Sequence, residues 1–249
     1  MRAMVIGDSH TNCIAQAAAA EPARMEGIQI YRFKNKRSQP DDGTISIGDA
    51  KQLVAQMPAS APVFLCVLGT YHNILGMLRQ DPAFSLLPDG ASILGEISGS
   101  DIIPMRALSS AFDAHIEDSR ELIELCQAAS GQVYLLGSPP PKQSSEYMLR
   151  KLAGMKKATY RGRHVAEVGV NPPALRRAFW DLECARLRSW TERHQVVYVP
   201  APPSAFDKAM YLKECYYAED ATHANEAYGA LVIEQIIERV TDQSEGIHD

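Results

Sequence analysis

Met1-Arg2-Ala3-Met4-Val5-Ile6-Gly7-Asp8-Ser9-His10 is the stretch on which the fold turns. Met1 to Ile6 is a brief apolar run that stops at a glycine, as a strand buried on both faces does. The period then changes. His10 to Ala20 is rich in alanine and free of proline and glycine, which predicts a helix, so Ser9 falls on a strand-to-helix turn. A side chain there stands at the carboxyl edge of a sheet, where open α/β folds bind ligands. The N–H groups that open a helix can also stabilise an oxyanion. The same letters have a plainer use, in which Asp8 or Ser9 merely caps the helix.

At the far end, Asp220-Ala221-Thr222-His223-Ala224-Asn225 precedes Tyr228 to Ile237, whose apolar positions recur at helical spacing. A serine hydroxyl is a weak nucleophile at neutral pH; it needs a histidine to take its proton and an acid to hold that histidine in the right tautomer. Acid and histidine three residues apart in a turn can point the same way. Asp220 would then accept from one ring nitrogen while the other faces Ser9. The alternative is an N-cap aspartate beside a surface histidine.

Between these ends, strands alternate with helices. Ile28 to Phe33, Ala61 to Leu68, Gln132 to Gly137 and Val196 to Val199 read as the second to fifth strands, the last two closed by prolines. Alternation of this kind predicts a parallel sheet covered on both faces. Gly-Asp-Ser near the start, Asp-x-x-His near the end and this alternation resemble the SGNH (GDSL) hydrolase family, over nearly the whole chain. The resemblance implies an α/β fold, a three-layer α/β/α sandwich on a mostly parallel, flavodoxin-like five-stranded sheet. It implies Ser9 as nucleophile, His223 as general base and acid, and Asp220 as the orienting partner. It also implies an oxyanion asparagine separated by a single residue from a glycine at the end of the third strand. Here Gly69-Thr70-Tyr71-His72-Asn73 separates the two by three residues, and Asn73 takes the role by its chemistry, with His72 or a backbone group as substitutes. For the second oxyanion glycine, Gly48 is preferred to Gly43. His10, beside the nucleophile, is expected to line the pocket.

At 249 residues with 46% hydrophobic content, the chain can bury a substantial core. It is expected to form a single domain over residues 1–240 with a polar tail at 241–249. A secretory signal would need an apolar run of about 7–15 residues before a cleavage site, but the nucleophile turn already begins at Gly7. There is no membrane-length apolar stretch. Cys13, Cys66, Cys126, Cys184 and Cys215 lack metal-type spacing and each reads as a buried thiol in a reducing cytoplasm. Residues 142–177 reverse the sign of an otherwise acidic chain, with nine bases, among them Lys142, Lys156, Lys157 and Arg176, against Glu146 and Glu167. That patch steers an anionic substrate or is a solvated helix face. The long connection from Asp81 to about Ala111 is expected to shape the substrate pocket.

Two other classes share parts of this pattern. Metallophosphoesterases also open on a strand ending in Asp-x-His, with Asp8 and His10 as ligands, but Gly48-Asp49 lacks their second aspartate and Gly69 to Asn73 lacks Gly-Asn-His. A non-catalytic binding module would keep the fold without turnover. The expectation is a serine esterase hydrolysing a short-chain ester of a small molecule or glycan, with an acyltransferase or thioesterase on the same three residues as the alternative. No metal, cofactor, nucleic acid or membrane is expected, and nothing in the sequence bears on oligomeric state. His115, His164, His194 and His248 carry no assignable role.

Overall fold

A computed structural model describes residues 1–34, 44–88, 90, 92–94 and 99–245, without the side chains of 243–245. Its central sheet is parallel throughout. β1 (Ala3–Gly7) leads through α1 (Thr11–Ala20) to β2 (Ile28–Phe33), then β3 (Thr44–Ile45), α2 (Ile47–Ala55) and β4 (Val63–Cys66). α3 (Tyr71–Gly76) follows. A side excursion comes next, with β5 (Phe84–Leu87) and β6 (Asp101–Pro104) paired to each other rather than to the main sheet, and then α4 (Met105–Glu117) and α5 (Arg120–Ala129). β7 (Val133–Leu136), α6 (Ser145–Ala153), the hairpin β8 (Thr159–Tyr160) and β9 (Arg163–His164), α7 (Val165–Val168), α8 (Pro173–Arg193), β10 (Val197–Val199) and α9 (Glu226–Glu245) complete the chain.

The sheet order is β10-β7-β4-β1-β2-β3, with Gly7 level with Arg32 on one side and with Cys66 on the other. The five expected strands stand in the flavodoxin-like order, and β3 adds a sixth at the edge. Two residues are too few to show a period, so this strand was invisible to pattern reading; it forms because Thr44 and Ile45 pair with Arg32 and Phe33.

Alternation along the strands sorts side chains into two layers of core. Ala3, Val5, Phe64, Cys66, Tyr134 and Leu136 face α1 and α9. Met4, Ile6, Val63, Leu65, Val133 and Leu135 face α2, α4, α5 and α8. The result is a three-layer α/β/α sandwich. α1 and α9 cross at a glycine, since a Cβ on Gly229 would overlap the Cys13 carbonyl. α9 continues through Glu245, so the expected polar tail begins inside a helix, and residues 246–249 lie outside those described.

Because β1 is central and the chain goes from it first to β2 and later to β4, its carboxyl end marks the point where the winding direction reverses. In open α/β sheets the crevice at that point is the ligand site. Gly7 ends β1 there, where any Cβ would overlap the Cys66 carbonyl oxygen and Thr11 Oγ1.

Candidate active site

Backbone hydrogen bonds build the turn that carries Ser9. The Asp8 N–H donates to the Cys66 carbonyl at 3.0 Å, tying the turn to β4. Thr11 N–H to the Asp8 carbonyl and Asn12 N–H to the Ser9 carbonyl start α1. Asp8 Oδ1 accepts the His10 N–H at 3.1 Å. These bonds leave the Ser9 N–H without an acceptor among the described residues and its hydroxyl exposed.

The partner loop arrives from the other edge of the sheet. After β10 the chain returns past the exit of β7, where the Leu212 N–H donates to the Pro141 carbonyl at 3.1 Å. A bridge between Tyr217 and Ala224, with Ala218 N–H donating to the His223 carbonyl at 3.1 Å, closes a tight loop before α9. Inside it Asp220 Oδ1 accepts the N–H groups of Thr222 and His223 at 2.8 and 2.7 Å. Asp220 Oδ2 lies 2.7 Å from His223 Nδ1, and His223 Nε2 lies 2.9 Å from Ser9 Oγ. A carboxylate only accepts, so the proton sits on Nδ1 and leaves Nε2 to accept from the serine hydroxyl. Burial alone would raise the Asp220 carboxyl, but the hydrogen bond from the His223 ring, the N–H bonds of His223 and Thr222 and electrostatic attraction to His223 outweigh it and hold the group well below the usual carboxylate range.

A groove of about 660 Å³ opens beside these three side chains, lined on its polar walls by Asn12, Gln16, Arg32, Thr44, Glu219 and Glu226. Asp8 lines it as well, and burial pushes its carboxyl up to about 6 against the downward pull of the His10 N–H. Cys13 also borders the groove. Burial raises its thiol to about 12 and its Sγ donates to the His10 carbonyl at 3.1 Å, which leaves it unreactive. None of the described residues of the Asp81 to Ala111 connection lines this groove; Leu86 packs with Phe112 and Phe179 between α4 and α8.

The other expected site residues are placed differently. His10 is 5% exposed, so it does not line the pocket; its ring lies behind the site, 5.1 Å from that of His223. Burial, with repulsion from His223 and His72, pushes its imidazole down to about 3, and its Nδ1 has no hydrogen-bond partner among the described residues. His72 is 3% exposed and turns inward, its Nδ1 2.6 Å from Glu183 Oε2, which takes it out of reach of a substrate. Asn73 sits in the first turn of α3, half-buried, and its amide makes no hydrogen bond among the described residues. Gly48 lies in the first turn of α2, exposed, with only its own capping Ser46 among the described residues within 4 Å of where a Cβ would stand, and it is not one of the residues lining the groove. Gly43, the other glycine considered, lies outside the described residues.

Glu183 is the residue sequence reading missed. It comes from α8, 2% exposed, and accepts the N–H groups of Tyr71 and His72 at 3.0 and 3.3 Å besides the His72 ring. One carboxylate thus fixes the start of α3, on which Asn73 rides. The available signal was an acid at a core-facing helical position, four residues from both Phe179 and Leu187. The basic segment divides: Lys142 and Arg176 are buried, whereas the ammonium groups of Lys156 and Lys157 are exposed and unpartnered among the described residues. Among those residues no group of three or more His, Cys, Asp or Glu is arranged to hold a metal ion, and no helix is long and apolar enough to cross a membrane.

No family model and no curated protein matches this chain. Solved structures that resemble it over nearly its whole length include a GDSL-like lipase from Bacteroides thetaiotaomicron, at 12% identity and TM-score 0.49, covering 96% of this chain and 87% of that one. A carbohydrate acetylesterase from Sinorhizobium meliloti aligns at 12% identity and TM-score 0.45, covering 96% and 99% of the two chains. An aryl esterase from M. smegmatis aligns at 11% and 0.43, covering 97% and 99%. Identities and scores this low carry no argument about chemistry, which has to come from this chain's own side chains. The strand order is the flavodoxin-like one that the SGNH resemblance implies.

Proposed function

We propose that the protein is a serine carboxylic ester hydrolase of the SGNH type. The observation that carries this reading is the relay from Asp220 Oδ2 to His223 Nδ1 and from His223 Nε2 to Ser9 Oγ, at 2.7 and 2.9 Å, at the mouth of a groove. His223 takes the proton of Ser9 as its oxygen attacks the ester carbonyl, and Asp220 stabilises the imidazolium that forms. The oxyanion is met by the unpartnered Ser9 N–H and the amide of Asn73. His223 then gives its proton to the leaving alcohol, and water activated by the same imidazole releases the acid from the acyl-serine. The polar side chains lining the groove favour an alcohol moiety rich in hydroxyls, as in a small-molecule or glycan ester, over a long-chain lipid. An acyltransferase would run the same first half and deliver the acyl group to a second alcohol instead. The free thiols, buried at Cys13, Cys66 and Cys126, fit a reducing cytoplasm.

The deciding experiment is turnover of a short-chain p-nitrophenyl ester by metal-free wild type and Ser9→Ala, with intact-mass detection of a fluorophosphonate adduct. Turnover and a single adduct in the wild type, both lost in Ser9→Ala, are expected. An adduct that survives in Ser9→Ala, or activity that appears only on adding a divalent metal, overturns the reading.

A further inference from the structure

Lys142 is the one buried lysine among the described residues. It follows Pro139-Pro140-Pro141 at the exit of β7, and its side chain is 1% exposed. Its Nζ donates to the carbonyls of Ala218 and Asp220 at 2.9 and 2.6 Å, the two residues flanking Glu219 in the Asp/His loop. It also stands 4.0 Å from Asp220 Oδ1 and about equally far from two aromatic faces, 5.0 Å from the Tyr147 centroid and 4.9 Å from that of Tyr217. Among the described residues no carboxylate is within hydrogen-bond distance of it. A buried ammonium held by carbonyls and ring faces is costly as a source of stability, and the Ala218 carbonyl is satisfied without it by the Tyr147 hydroxyl at 2.7 Å. The Asp220 carbonyl, by contrast, accepts from Lys142 alone among the described residues.

We propose that Lys142 is a positioning residue for the Asp220–His223 pair, its ammonium group fixing the Asp220 backbone from beneath and setting a positive charge behind the Asp220 carboxylate. The inference rests on the reading of Ser9, His223 and Asp220 given above. Its logic is mechanical. Asp220 Oδ1 holds the His223 N–H and Oδ2 faces the ring, so a displaced Asp220 backbone moves the imidazole relative to Ser9. An error of about 1 Å in such a placement costs on the order of 10²-fold in rate.

The charge makes this support depend on pH. Facing the ammonium are Asp220 and Glu219 from the loop, with His223 beyond; Lys151 from α6, paired with Glu219, and Arg150 over the Tyr147 ring; the Tyr147 and Tyr217 phenols; and Arg176 from α8, which donates to the Lys142 carbonyl. Burial lowers Lys142 to about 8, with Asp220 pulling upward and Lys151 downward. As pH rises through that value the cation is lost, the bonds to the two carbonyls weaken and the charge behind Asp220 disappears. Activity should therefore decline on an alkaline limb near pH 8.

Lys142→Met keeps the reach of the side chain and removes charge and donors, whereas Lys142→Arg keeps both and does not titrate below about pH 12. The readouts are the rate of fluorophosphonate labelling of Ser9, kcat and KM for p-nitrophenyl acetate from pH 6 to 10, and thermal unfolding. We expect Lys142→Met to stay folded, lose about 100-fold in labelling rate and kcat with little change in KM, and show no inflection near pH 8. Lys142→Arg should recover most of the rate and also lack the inflection. A folded Lys142→Met labelled as fast as wild type overturns the proposal. So does an inflection near pH 8 that persists in Lys142→Arg, which decides the matter alone if the methionine variant fails to fold. A wild type that fluorophosphonate does not label at Ser9 overturns the triad reading as well, whereas a labelled wild type with indifferent Lys142 variants overturns this inference only.

Discussion

His10 should make this protein sensitive to mild acid, and the size of the effect follows from its burial. The imidazole is 5% exposed, its Nδ1 is unpartnered, and the rings of His223 and His72 repel any charge it takes up. In the unfolded chain it binds a proton near its ordinary value of 6.5; in the folded protein it resists until about 3. Between those values the unfolded state holds more protons, so stability falls as pH drops below about 6.5 and stops falling near 3. At pH 5, 1.5 pH units below the ordinary value, the loss from this one group is about 2 kcal/mol, approaching about 5 kcal/mol by pH 3. His10→Phe replaces the ring with one of similar outline that cannot titrate. Urea denaturation of both proteins at pH 7 and pH 5 isolates the contribution, wild type losing about 2 kcal/mol more than the variant over that interval. Asp8 works in the opposite sense in part of the same window. Its carboxyl is raised to about 6 by burial, so it adds stability as pH falls from about 6 to about 4, but both chains carry it and it cancels in the difference. Parallel stability losses in the two proteins would show that His10 is not held neutral by its surroundings.

Two further outcomes are expected. On the oxyanion role proposed for it, Asn73→Ala should lower kcat by about 10²–10³ with a smaller change in KM, because an oxyanion donor meets charge that develops only in the transition state; near-normal kcat transfers the role to other N–H groups. Gly229→Ala should destabilise the fold by about 3 kcal/mol or more, because the new methyl meets the Cys13 backbone rather than a side chain that can rotate away. An unchanged urea midpoint for that variant would mean that α1 and α9 do not cross as closely as described.

The parts of this protein that were legible in its sequence are those written in a local period. Val5 and Ile6 run straight into Gly7, and alanines follow Ser9, so strand, turn and helix could be placed without a contact map. The same holds for the Asp-x-x-His loop, because residues three apart in a turn interact through the backbone that joins them, and Asp220 does hold the His223 N–H. Ile28 to Phe33 was recovered to the residue as β2. Where a segment was too short to have a period, as at Thr44–Ile45, or where a polar sequence continued a helix, as at Thr241 to Glu245, pattern reading failed.

Burial is a different matter, because it is a property of the assembled layers. His10 and His72 had the right chemistry and the right neighbourhood for a pocket, yet both lie under it, one behind His223 and the other on Glu183, a residue 111 positions away. Lys142 read as one more cation in a basic run, and only the return of the chain after β10 shows that its ammonium lies beneath the Asp220–His223 loop. Local pattern is enough to place the turn that presents Ser9, the loop that pairs Asp220 with His223, and the alternation of strands and helices that carries both. That the two ends meet is settled by packing. A hydrogen bond across 214 residues exists because sheet order sets β1 at the centre and brings the chain back to it from β10, a consequence of packing two apolar faces that no local period records.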